Sequence, residues 1–153
     1  VSVRRTLLLA LVVLALVPAV ALAGSVNVSG KGSAAYTARG TATAFSTQLL
    51  PGTRIVATAL PVASVQPTVT VNCLARRQRR CARLDVVTGA WIVSKPVTML
   101  VEGADFRVTI RSPRLFQLGI TGIGVLRLKG RGTYTTAGVD TPYDGPTVVK
   151  LRR

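Results

Sequence analysis

Phe106-Arg107-Val108-Thr109-Ile110-Arg111 alternates apolar and polar side chains without a break. Successive side chains of an extended strand point to opposite faces, so such a stretch buries one face and wets the other. Beyond residue 23, no segment repeats apolar residues at the helical spacing of three to four with caps at its ends. Pro67 to Cys73 places Val69, Val71 and Cys73 on one face, and Val125 to Arg131 is a further candidate strand. Thr53 to Leu60, Ala82 to Val87, Ala90 to Val93 and Val97 to Val101 are rich in β-branched residues, which suit a pleated, half-buried surface. Turn chemistry separates these runs at Pro51-Gly52, Gly89, Lys95-Pro96, Gly103, Ser112-Pro113, Gly138 and Gly145-Pro146. Short strands at this spacing predict an all-β fold, an antiparallel β-sandwich (Ig-like or jelly-roll-like) of about seven to ten strands, with a closed barrel as the alternative.

The first 23 residues follow a different rule. Arg4 and Arg5 precede an apolar run from Leu7 to Val17, then Pro18 and the small-residue triplet Ala21-Leu22-Ala23. A charged start, an apolar centre and an A-x-A end are the parts of a Sec-type signal peptide. The expected organisation is a signal peptide over 1–23 and one secreted β-rich domain over 24–153. A retained anchor is the rival, but Pro18 interrupts the run before the roughly 18 continuous apolar residues that a span requires. The protein is therefore expected outside the cell or in its envelope.

Charge and missing residue types narrow the chemistry. The net charge is +15, of which Arg4 and Arg5 carry two, leaving +13 on the expected domain. Such an excess favours polyanionic partners: a wall polymer, nucleic acid or an anionic lipid surface. Arginine exceeds lysine, and alanine, valine and glycine abound, the bias of a GC-rich bacterial genome. With no histidine, Ser-His and Cys-His nucleophile systems are excluded, and so are His-rich zinc sites. Only Asp85, Glu102, Asp105, Asp140 and Asp144 remain as acid or base candidates, and their local sequence marks no catalytic pair. No enzyme activity, metal or cofactor is expected. A carbohydrate enzyme working by carboxylates alone would need two of Glu102, Asp105, Asp140 and Asp144 in one cleft, roughly 5–10 Å apart.

The most distinctive segment runs from Cys73 to Cys81. These two cysteines in an exported chain should pair. Strands on either side, Pro67 to Cys73 and Ala82 to Val87, predict a hairpin stapled at its base. Its tip would hold Arg76, Arg77, Arg79 and Arg80, whose guanidinium forks suit phosphate or sulfate oxygens. The competing account is a solvated turn, where charge is tolerated because nothing packs against it. Strand geometry supplies a second basic group. Arg107 and Arg111 share one face of their strand, as do Arg127, Lys129 and Arg131 of theirs, so pairing of the two strands would gather five cations on one face. Of the few aromatics, Tyr36 and Tyr134 adjoin basic glycine segments and are the stacking candidates, whereas Trp91 reads as core.

Gly30-Lys31-Gly32-Ser33-Ala34-Ala35-Tyr36-Thr37 echoes Gly130-Arg131-Gly132-Thr133-Tyr134-Thr135. Either the two form a repeated binding hairpin, or their glycines mark bulges and close backbone approaches on neighbouring strands. Asp140 to Gly145 reads as a turn. The stretch from Val101 to Ile110 and then from Gly122 to Tyr134 resembles the tail of small secreted actinobacterial proteins of uncharacterised function. That resemblance implies a secreted all-β fold and brings no functional residues with it. Together these features predict a secreted, non-enzymatic domain that binds an anionic polymer through its arginine loop or a protein partner. The alternative is a structural or assembly domain that pairs with a protein through an exposed strand edge.

Overall fold

The computed structural model describes residues 24–40 and 43–152. The proposed signal peptide lies outside the described residues. Among the described residues, eleven antiparallel strands follow in order. They are β1 (Ser25–Ala38), β2 (Thr43–Leu49), β3 (Arg54–Ala59), β4 (Thr68–Cys73), β5 (Ala82–Leu84), β6 (Ala90–Val93), β7 (Val97–Gly103), β8 (Phe106–Thr121), β9 (Gly124–Thr136), β10 (Val139–Asp144) and β11 (Thr147–Leu151).

Three long strands hold the fold together. β1 pairs along its length with β8 on one side and β9 on the other. Each of these flanking strands serves two neighbours in succession. β8 pairs with β3 over Phe106–Arg111 and with β2 over Gln117–Thr121. β9 pairs with β11 near its start and with β10 near its end. One layer therefore runs β10-β9-β1-β8-β2-β7-β4, and the other continues from the same three strands as β11-β9-β1-β8-β3-β6-β5. The sheet folds over on itself and does not close into a barrel, so the all-β antiparallel sandwich is the observed class. Strands that pass from one layer to the other at a bend form the corners of such sandwiches.

The core lies between the layers. Val26 and Val28 face inward from the first half of β1, and Ala34, Tyr36 and Ala38 from the second. In β8 the same period puts Phe106, Val108 and Ile110, then Phe116, Leu118 and Ile120, inside. The Tyr36 ring in one layer stacks on Phe45 of β2 in the other, with centroids 6.1 Å apart. Burying each such side chain contributes about 1.5–3 kcal/mol.

The two glycine segments meet at the bend. Gly30, Lys31 and Gly32 lie opposite Gly132, Arg131 and Gly130. Gly32 and Gly130 both have φ of 109°, and a Cβ on either would run into the facing backbone carbonyl. The likeness of the two segments is thus the signature of neighbouring strands in close approach. In β8 the bend falls at Ser112-Pro113, which the sequence presents as a strand end. Residues 113–115 pair with no strand on either side, so the missing N–H of Pro113 breaks no ladder bond. Asp140–Asp144, expected as a turn, is edge strand β10, and the turn lies at Gly145-Pro146. Pro142 is tolerated there because β10 pairs on one side only.

The cysteines form the expected disulfide, with Cα atoms 5.5 Å apart, but the predicted hairpin does not exist. β4 pairs with β7, setting Val69, Val71 and Cys73 opposite Val101, Met99 and Val97, whereas β5 pairs with β6. Each strand has found the neighbour that completes its own layer. The arginine segment crosses from the edge of one layer to the edge of the other, and the disulfide joins those edges.

Candidate functional site

The second layer turns its outer face to solvent, and the strand register sets basic residues across it. Arg83 of β5 lies opposite Ile92 of β6, which lies opposite Arg54 of β3. Arg54 lies opposite Arg111 of β8, Arg111 opposite Ser33 of β1, and Ser33 opposite Lys129 of β9. With strands about 4.8 Å apart, this row extends over roughly 24 Å. A shallow depression of about 550 Å³ lies over its centre, lined by Arg54, Arg111, Lys129 and Ser33 with the glycines of the bend. No carboxylate lines it.

Arg127 and Arg107 share this face in the next two rows, opposite Ala35 and Thr37 of β1 respectively. Lys150 of β11 lies opposite Val125, at the end of the Arg107 row. The expected pairing of the Arg107 and Arg127 strands is therefore corrected: β1 runs between them and aligns them through its own residues. Arg131 lies across the bend, where its Nε is 3.4 Å from Asp144 Oδ1. That is the one ion pair among the described residues. The other cations of this face meet no carboxylate at that distance.

Arg76, Arg77, Arg79 and Arg80 are all exposed on the crossing loop. The loop is shaped by its backbone: Leu74 N–H donates to Pro96 O at 2.9 Å, and Gln78 N–H to Ala75 O at 3.1 Å. At its end, Ser94 and Lys95 N–H groups both donate to Cys81 O. The chain passes from there into β5, so the loop feeds the row that Arg83 begins. Arg54, Arg83 and Lys150 are members that sequence reasoning missed. The first two sit in segments read as strands, and the register alone brings them into line with Arg111.

The aromatic expectation fails for Tyr36. Tyr36 is fully buried and donates its hydroxyl to Ile123 O at 3.1 Å, and burial pushes its pKa up. Tyr134 packs partly against the core, with its ring 6.4 Å from that of Tyr143. Tyr36 therefore offers no face to a stacked base. Trp91 also packs against the core, as anticipated.

Three of the carboxylates hold local structure. Asp105 accepts from Gly40 N–H at 2.8 Å, and Asp140 from the Thr135 hydroxyl at 2.5 Å. Asp85 shapes the β5–β6 turn by accepting from Val87 N–H at 3.0 Å, and that bond lowers its pKa. Among the described residues, no three His, Cys, Asp or Glu side chains come together to hold a metal ion. No family model matches the chain, and comparison with curated proteins and with solved structures finds no significant match.

Proposed function

We propose that this protein is a secreted, non-enzymatic β-domain that binds an anionic polymer through the outer face of its second layer and the adjoining arginine loop. One observation carries the reading. Arg54 and Arg111 lie directly opposite each other, with Lys129 two strands further on, around a depression that holds no carboxylate. Like charges directly opposite in a sheet are destabilising. A ligand that neutralises them relieves the repulsion as it binds. Guanidinium groups grip phosphate, sulfate or carboxylate oxygens with paired hydrogen bonds, and Ser33 adds a hydroxyl between them. The disulfide limits the freedom of the loop, which lowers the ordering cost of engaging its four arginines.

Salt dependence tests this directly. Binding to single-stranded polyphosphate ligands falls with log salt at a slope of about 0.7 per neutralised charge. Changing Arg54, Arg111 and Lys129 to Gln should therefore lower the slope for single-stranded DNA by about 2. Changing Lys31 and Arg131, two exposed cations opposite each other at the bend, should lower it far less per charge. Equal effects per charge would reduce the interaction to net charge and sink the proposal.

Strand pairing with a protein partner has one feature in its favour. Among the described residues β4 pairs only with β7, and Thr68 to Asn72 carries none of the charges or prolines that usually protect an edge. Binding of that kind would barely respond to salt.

A further inference from the structure

The other layer carries a larger hollow, about 770 Å³, built from different chemistry. The layer curls, so that Asn72 of β4 and Asp140 of β10, near opposite edges of seven strands, line the same groove. One register row across it reads Thr133, Ser29, Gln117, Gln48, Thr98 and Asn72. The next contains Thr135, Asn27, Gly119 and Ser46. In a chain of net charge +15, no Lys or Arg among the described residues lines the groove, and Asp140 is the one charged side chain among them that does.

The outer face of a sheet has to be polar, but three details go beyond that requirement. Charged side chains meet the requirement on the second layer, and here amides and hydroxyls replace them. Asparagine is depleted in strands, yet Asn27 and Asn72 both occupy strand positions facing this groove. Gly119 sits inside β8 without the positive φ that would demand glycine. A Cβ there would lie 3.0 Å from Asn27 Oδ1 and 3.3 Å from Ser46 Oγ. Glycine weakens a strand interior and commonly marks a place where a ligand comes close.

We propose that this groove binds a neutral glycan chain. Amide and hydroxyl groups offer donors and acceptors side by side, as sugar hydroxyls do, so each can exchange hydrogen bonds with the other. The absence of cations removes any preference for an anion. The volume lies within the roughly 300–1,000 Å³ of small-ligand sites. No aromatic ring lines the groove, so hydrogen bonds set its specificity.

The test is retardation of the disulfide-bonded protein on columns of immobilised dextran, mannan, xyloglucan, arabinan and galactan. Salt near 1 M, where the screening length is about 3 Å, silences the cationic face. Retardation on at least one polymer is expected. Gln48→Ala with Gln117→Ala should weaken it about tenfold, the order expected for two neutral hydrogen bonds. Arg54→Gln with Arg111→Gln and Lys129→Gln should leave it unchanged. Asn72→Ala with Thr98→Ala, near the groove's edge, gives an independent check should the first pair disturb folding. Passage through all five columns without delay overturns the proposal, as does undiminished retardation of the folded groove variants.

Discussion

Tyr143 combines good packing with a poorly placed polar atom. Its ring lies over the glycines of the bend: a Cβ on Gly132 would come within 2.8 Å of its hydroxyl, and one on Gly30 would overlap it. An aromatic ring covering strand glycines restores apolar contact that glycine cannot supply. The hydroxyl itself is buried with no hydrogen-bond partner among the described residues, and burial raises its pKa. An unsatisfied buried hydroxyl costs about 1–3 kcal/mol, so Tyr143→Phe should stabilise the protein by about 1 kcal/mol in chemical denaturation. The pH dependence has a defined sign. A tyrosine whose pKa is raised on folding contributes stability below its unfolded pKa near 10, and that contribution is lost as pH rises through the folded value. Wild-type stability should accordingly fall above about pH 10. Tyr143→Phe should fall less, retaining only the part that Tyr36 contributes. Equal alkaline slopes for the two proteins would rule this out.

At the scale of elements, the bend is the feature most demanding of particular residues. Gly130→Ala would place a side chain against the Lys31 carbonyl at φ of 109°. The backbone conformation alone should cost about 1–3 kcal/mol, and the clash adds to it. Gly138→Ala is a useful contrast, since a Cβ there meets no atom within 4 Å although φ is 76°. A larger loss for Gly130→Ala than for Gly138→Ala in thermal or chemical unfolding is the expected result. The same bend explains what the sequence disclosed and what it concealed. Phe106–Arg111 was legible as a strand because its side chains differ sharply in polarity on the two faces. β1 hid its period behind serine, glycine and alanine, and Ser112-Pro113 looked like a stop because nothing local reveals that β8 changes neighbours there. The charged alternation of Arg107 and Arg111 was visible, but the alignment of Arg111 with Arg54 and Lys129 depends on which strands pair. Cross-strand register is a long-range property, so half of the cationic row could not be assembled from spacing alone.

For the whole molecule, the disulfide occupies the position where leverage is greatest. The sheet is continuous through β1, β8 and β9, and its two layers end at β4 and β5. Cys73 and Cys81 join those ends, while Cys81 and the half-buried Cys73 also belong to the core. Removing a bridge across so short a segment should cost about 2–3 kcal/mol on the chain-entropy argument. For a domain of this size, that corresponds to a fall in Tm of roughly 6–12 °C. The loss should also be uneven. β1, β8 and β9 keep ladder partners on both sides, whereas β4 and β5 each keep only one. Hydrogen exchange on Cys73→Ala with Cys81→Ala should accelerate first along Thr68–Cys73 and Ala82–Leu84, with the three central strands still protected. The cationic depression rests on those central strands and on β3, so the anionic-polymer binding proposed for Arg54, Arg111 and Lys129 should survive removal of the bridge. Only the contribution of the arginine loop should weaken, as its four side chains regain the freedom that the disulfide had removed. If exchange rises uniformly and polymer binding disappears entirely, the bridge supports the whole sandwich, and the division into a stable centre and tethered edges is wrong.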